Sequence, residues 1–135
     1  MATNIFQSKF FLYFTAIFYA VMGTNHFINP DFYVTMMPSW FIQKPFLNYA
    51  SGALEIIFGL MLIPSKYRNI GVWGIFGLLM SFWSIHISHL FEPPVMDVGG
   101  SLIDFSQKPT YYGLYGRLLF HFVFFWWILK VKKIR

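Results

Sequence analysis

The sequence predicts an all-α integral membrane protein: a four-helix bundle with both termini on the cytoplasmic side and a short interfacial helix in its first outer loop. Three observations carry this expectation. Four apolar runs, 10–27, 46–63, 70–91 and 111–129, occupy most of the 135 residues and read as spans of a single domain, 1–135. The hydrophobic fraction is 57% and only 11% of residues are charged, whereas a soluble domain carries about 25% charged residues. The charges also sort by side. Lys9, Lys66, Arg68, Lys130, Lys132, Lys133 and Arg135 flank the runs at one end, and Lys44 and Lys108 stand among Asp31, Glu92, Asp97 and Asp104 at the other. Positive loops stay cytoplasmic, so loops 28–45 and 92–110 are expected outside.

The same charge map decides between partners. A net charge of +5 is compatible with nucleic acid in principle. Its concentration beside spans makes 130–135 a topology signal and a contact for anionic lipid instead. Cysteine is absent, which excludes disulfides, thiol catalysis and thiolate metal sites. Lys9 precedes an apolar run, but that run is span-length and lacks small residues for cleavage, so a removable leader is not expected.

The first run has 18 residues, about 27 Å of helix against a hydrocarbon core of about 30 Å. Thr15, Tyr19, Met22 and His26 fall on one of its faces. In the loop that follows, Asn29 is placed to cap a helix beginning at Pro30, with Asp31 in the first turn and Pro38 ending it. Six residues after Asp31 cannot cross a bilayer, so an interfacial helix anchored by Tyr33 and Trp40 is expected. In the second run Asn48, Gly52, Glu55 and Gly59 share a face, with Ser51 beside it. Small residues there admit a neighbouring helix and turn Glu55 toward protein. The short turn 64–69 makes the second and third runs an antiparallel pair.

The third run carries a small-residue seam, Gly74, Gly77, Ser81, Ser84 and Ser88. His89 points about 100° from that seam and His86 about 160°, so seam and histidines face different neighbours or the helix ends early. Loop 92–109, with Pro93, Pro94, Gly99 and Gly100, is expected to be irregular and to cover the outer mouth. In the fourth run Gly113, Arg117 and His121 follow at four-residue steps, and Trp126 and Trp127 are placed for an aromatic belt at the inner interface.

Ionisable groups inside spans are functional candidates because an unpaired one costs several kcal/mol. Counting 1.5 Å per residue, Glu55 and His121 lie near the midplane, within about 2 Å of each other in depth, with Arg117 one turn further out and His26, His86 and His89 about 8–12 Å outside the midplane. Glu55 paired with Arg117 or His121 is compatible with a purely structural ion pair. It is also compatible with acid/base chemistry, in which the pair trades a proton with a bound ligand. A quinone carbonyl or similar lipophilic head group suits that depth, with Glu55, His121 and Arg117 as reacting groups and His26, Tyr19 and Asn25 as ligand contacts. A second chemistry uses the spacing His86-x-x-His89, which with His26 and His121 would make an imidazole shell for a transition metal or the axial ligands of a haem.

The stretch Gly23-Thr24-Asn25-His26-Phe27-Ile28-Asn29-Pro30-Asp31-Phe32-Tyr33 with Met37-Pro38, the stretch Tyr49-Ala50-Ser51-Gly52-Ala53-Leu54-Glu55 with Gly59-Leu60 and Ile63-Pro64, and Gly71-Val72-Trp73-Gly74 together resemble the DoxX-like membrane protein family. The resemblance covers about residues 10–91 in sequence order, and the last span agrees only in hydrophobicity and position. It implies a compact bundle in a bacterial cytoplasmic (inner) membrane and an association with quinone-linked redox systems. His26 and Glu55 match the family's polar motif positions. The His86-x-x-His89 pair and the long loop 92–110 depart from the simplest pattern. Three functions follow as expectations: a redox-associated subunit with an outward-facing cavity for a lipophilic molecule, a membrane metal or haem protein, and an accessory subunit of a larger membrane complex.

Overall fold

A computed structural model describes residues 8–106 and 110–134. The chain is mostly helical: α1 (Lys9–Ile28), a short α2 (Pro30–Met36), α3 (Lys44–Met61), α4 (Arg68–Ser88), a hairpin of β1 (Val95–Val98) and β2 (Ser101–Asp104), and α5 (Thr110–Val131). The long helices begin and end within a few residues of the apolar runs. Lys108, Pro109 and Arg135, which entered the loop and charge readings, lie outside the described residues. α1, α4 and residues 112–131 of α5 are long and apolar enough to cross a membrane. α3 is not among these three, since its 18 residues include Lys44, Asn48, Ser51 and Glu55.

α1 and α3 pack backbone to backbone. A Cβ placed on Gly23 would lie 2.5 Å from the Gly52 carbonyl oxygen, and one on Gly52 would lie 2.7 Å from that of Gly23. Only glycine fits at this crossing, which therefore sets the register between the two helices. Further along, Gly59 meets Ala16 and Tyr19. α4 joins on the other side of α3, where Gly71 and Gly74 close onto Phe58. α5 packs on α4 and returns to α1. Leu12, Ala16, Leu62, Val72, Ile75, Ile128 and Val131 close the half of the helix cluster that holds Lys9, Lys66, Arg68, Lys130, Lys132 and Lys133. At that end Arg68 donates to the carbonyls of Leu62, Ile63 and Ile134 at 2.8, 3.0 and 2.8 Å. It thereby satisfies carbonyls left open at the end of α3 and ties them to the end of α5.

Trp127 does not stand in an aromatic belt. Its indole Nε1 donates to Thr15 Oγ1 at 2.8 Å, and its ring packs among Phe11, Phe14, Phe18 and Phe124. Among these rings the indole N–H has Thr15 as its acceptor, and the bond draws the ring toward α1. Trp127→Phe keeps the stacking and removes the bond. The expected cost is about 1 kcal/mol in unfolding free energy, read by denaturant titration in detergent, and Trp126→Phe is expected to cost less because that ring is half exposed.

The expectation of an all-α chain is corrected by the hairpin. β1 and β2 pair antiparallel, Val95 opposite Asp104 through Val98 opposite Ser101. Gly99 and Gly100 connect them at φ 61° and 85°, the left-handed pair that a two-residue hairpin turn requires. Residues 95–104 of loop 92–109 thus form a regular hairpin where an irregular loop was expected. The apolar side of the hairpin, Met96, Ile103 and Phe105, packs with Phe32, Met36, Leu90 and Leu114. α2 and the hairpin form a cap over one end of the long helices.

The seam on α4 divides. Gly74 packs on Phe58, but a Cβ on Gly77 would meet nothing within 4 Å, and Ser81 and Ser84 are exposed. Their hydroxyls donate back to the carbonyls of Gly77 and Met80. The seam therefore faces away from the other helices, and the opposite face, with His86, turns inward. α4 ends at Ser88, and His89 follows as its C-cap.

Candidate functional site

Beneath the cap, α1, α2, α3, α4 and α5 all contribute to a cavity of about 190 Å³. Phe18, Leu79, Phe82, Ile85 and Phe124 give it apolar walls, and Met22, Met36 and Met37 add polarisable ones. Tyr19, His26, Ser51, Glu55, His86 and His121 supply its polar groups. The polar residues come from one stripe each of α1, α3, α4 and α5.

One wall of the cavity is built on His26. Its Nδ1 lies 2.7 Å from Asn48 Oδ1 and 3.4 Å from Ser51 Oγ, while Asn48 Nδ2 donates to the His26 carbonyl at 2.8 Å. A carbonyl can only accept, so the amide nitrogen of Asn48 is fixed on that side and its oxygen faces the ring. His26 Nδ1 must then carry the hydrogen, and the free lone pair or second proton belongs to Nε2. Nε2 stands 3.8 Å from Glu55 Oε1. That is ion-pair distance and longer than a hydrogen bond, and it sets the carboxyl against the ring nitrogen that can take up or release a proton.

Tyr33 of α2 covers the imidazole, with ring centres 3.6 Å apart and planes at 17°. Its hydroxyl accepts from Asn25 Nδ2 at 2.7 Å. Burial holds the Tyr33 phenol above its ordinary range, opposed by the Asn25 hydrogen bond, so the ring covers the site as a neutral group.

The expected pairing of Glu55 with Arg117 or His121 is replaced by the pairing with His26. Counting depth by Cα position put His26 well outside Glu55. Side chains, however, lean toward their own helix N-terminus. α1 and α3 run in opposite directions past the Gly23–Gly52 crossing, so His26 leans down and Glu55 leans up until they meet. Arg117 turns to the cap instead. Its Nη1 lies 3.0 Å from Met96 Sδ and 3.9 Å from Met36 Sδ, and its guanidinium sits 4.4 Å from the centre of the Phe105 ring. That is a cation–π and thioether setting, and Arg117 does not line the cavity. Asn25 does not line it either; it holds Tyr33 and Asn29. Tyr19 does, as expected for a ligand contact, and its side chain is buried.

The four histidines do not form one shell. His86 has His89 and His121 as neighbours, at ring-centre separations of 5.4 and 4.9 Å, while His26 is held by Asn48 and Tyr33 on the far side of the cavity. His89 is buried, with Nε2 donating to the Met36 carbonyl at 2.7 Å. It pins α4 to the end of α2 rather than facing the cavity. Among the described residues no three His, Asp or Glu side chains converge as metal ligands.

Four residues that line the cavity each carry a buried polar atom without a hydrogen-bond partner: Tyr19 Oη, Glu55 Oε2, His86 Nδ1 and His121 Nε2. Each such group costs about 1–3 kcal/mol unless something meets it. Trp83 Nε1 and His89 Nδ1 also lack partners but do not line the cavity. Sequence reasoning placed Asn48 on the Glu55 face without a role, and it read Tyr33 as an interface anchor. The missing signal in both cases was contact between α2, α1 and α3, which no periodicity carries.

A family model described as Domain of unknown function (DUF8561) matches residues 15–132. Among curated proteins and solved structures, nothing matches the chain.

Proposed function

We infer a function from the site's own geometry, because this chain belongs to the DUF8561 family, a domain of unknown function. The protein is a four-span membrane bundle whose cavity binds a lipophilic small molecule of quinone type in a redox-associated role. Both termini are cytoplasmic and the cap of α2 and hairpin faces outward. α3 crosses with the other three long helices. Its polar Asn48 and Glu55 and the glycines Gly52 and Gly59 are buried, while Phe46, Leu54, Ile57 and Leu60 are exposed for lipid. At the basic end Lys132 lies over the Trp73 ring at 4.7 Å and Lys130 over Trp126 at 5.3 Å. Half-exposed indoles beside lysines suit a cytoplasmic interface.

One observation carries the ligand reading: four residues around a cavity otherwise walled by aromatic and aliphatic side chains each carry a buried polar atom without a hydrogen-bond partner. A flat head group with oxygens at opposite edges would satisfy polar atoms on both walls and place its ring between Phe18, Phe82 and Phe124. The His26–Glu55 pair lies beside that position and can deliver or receive a proton at a ligand oxygen. The resemblance to DoxX-like proteins supports the same reading.

The test is binding by the purified full chain. A benzoquinone with a decyl tail is expected to bind, and Glu55→Gln and His86→Phe are each expected to weaken it about tenfold, the value of one buried hydrogen bond. An optical spectrum and metal content measured on the same sample separate the alternatives. A haem band, stoichiometric metal, or failure of oxidised and reduced ring alike to bind would overturn the quinone reading.

A further inference from the structure

The cavity is covered toward the cap and open at its side. Tyr33, Met36 and Met37 form the cover. Three hydrogen bonds hold it down: His89 Nε2 to the Met36 carbonyl at 2.7 Å, Lys44 Nζ to the Met37 carbonyl at 2.9 Å, and the Ser39 N–H to Glu92 Oε1 at 3.3 Å. Among the described residues that line the cavity, Met22 alone is exposed, at 38%, and the others are buried or half-buried. Met22 follows Phe18 by one turn on the side of α1 that meets α5.

α1 and α5 touch nearer the basic end. Phe11, Phe14 and Phe18 pack on Trp127, Phe18 packs on Phe124, and Trp127 bonds Thr15. At 100° per residue Trp127, Phe120, Gly116 and Gly113 fall within about 60° of one another on α5. The stripe that touches α1 at Trp127 therefore continues toward the cap through the other three. Phe120 is 58% exposed there, a Cβ on Gly116 would meet nothing within 4 Å, and one on Gly113 would meet only the Phe105 ring at 3.7 Å. The two helices thus stand apart beyond Phe18 and Phe124, at the level where Met22 is exposed.

Size says what such a gap would hold. A cavity of about 150 Å³ holds a benzene molecule, so about 190 Å³ takes a single substituted ring and no long chain. A ring made lipophilic by an alkyl chain must let that chain out. The cover closes the way through the cap, and the unbranched Met22 side chain is the one that can yield at the side.

We propose that the cap-proximal halves of α1 and α5 frame a side opening by which a tailed aromatic ring enters the cavity from the bilayer, and that its alkyl or isoprenoid tail rests there along Met22, Gly116 and Phe120. This rests on the ligand reading above and adds the tail and its path.

Titration of the full chain in detergent with decyl-benzoquinone and with the same ring carrying a methyl group tests it. The readout is the ratio of the two affinities. Gly116→Leu puts a side chain into the open space, and is expected to shrink the tailed ring's advantage about tenfold. Gly77→Leu, the same exchange on the far side of α4, is expected to leave the ratio as in wild type, which controls for partition into the micelle. A ratio unchanged by Gly116→Leu would overturn the tail path and leave the cavity reading standing. Binding of neither ring by the wild-type chain would overturn both. A second readout needs no variant. A benzoquinone whose tail carries a diazirine is expected to label Met22 or Phe120 on illumination. Label confined to the cap or to the Gly77 face of α4 would overturn the proposal. So would a diazirine phospholipid that labels Met22 and Phe120 and is not displaced by decyl-benzoquinone, since the opening would then hold bulk lipid.

Discussion

Gly52→Leu is expected to lower unfolding free energy by about 3 kcal/mol and to abolish ligand binding, while Gly77→Leu is expected to leave both almost unchanged. Both replacements exchange a helical glycine for a better helix former, so local propensity favours the variant in each case. The difference lies in what the new side chain meets. At Gly52 its Cβ would stand 2.6 Å from His26 Cβ and 2.7 Å from the Gly23 carbonyl oxygen. The second contact is backbone, and backbone can yield only by moving α1 away from α3. That displacement separates His26 from Asn48 and Glu55, so stability and site are lost together. At Gly77 nothing lies within 4 Å. Tryptophan fluorescence during denaturant titration in detergent checks the pair. Equal losses at the two positions would mean that the Gly23–Gly52 crossing does not hold the helices together.

The second large effect is expected from Glu55. Glu55→Ala removes one member of a buried pair and leaves Asn48 holding the His26 ring toward an empty space. The expected loss is about 3 kcal/mol, since breaking a buried pair strands its partner. Glu55→Gln keeps shape and hydrogen bonding and is expected to cost far less. A double-mutant cycle identifies the partner. Glu55→Ala with His26→Ala is expected to show a coupling of about 1–3 kcal/mol, and Glu55→Ala with Arg117→Ala a coupling below about 0.5 kcal/mol. A strong coupling to Arg117 with none to His26 would reverse the assignment made from geometry.

These two expectations show where the sequence was informative. Gly52 and Gly59 beside Glu55 already implied a close helix neighbour and a buried carboxyl, because in lipid only small residues and paired charges make sense on one face. The partner of Glu55 was not legible. Cα depth places His26 too far out, and the Gly23–Gly52 register that corrects it exists only once two helices touch. The hairpin was legible in principle: Gly99-Gly100 between Val95-Met96-Asp97-Val98 and Ser101-Leu102-Ile103-Asp104 is a turn signal flanked by strand residues. Its glycines and the prolines before it favoured an irregular loop instead. Arg117 could not be placed without it, since Met96 and Phe105, which hold the guanidinium, arrive only when the hairpin folds over α5.

The amino-acid sequence by itself determined the long helices and their limits, the inward face of α3, the first turn of α2 and the charge difference between the two ends. These depend on hydrophobicity, periodicity and the fixed φ of Pro30 (the Asn29 side chain bonds Asn25 and does not cap α2), all of which act within about a dozen residues of chain. Tertiary structure decided which polar groups meet: His26 with Glu55 and Asn48, His89 with the Met36 carbonyl, Trp127 with Thr15, and Arg117 with two thioethers and a ring. The hydrogen bonds and the ion pair among them join residues from 21 to 112 positions apart. Helix register, side-chain lean and the cap choose among the partners available to each polar atom, and none of the three is a local property of the chain.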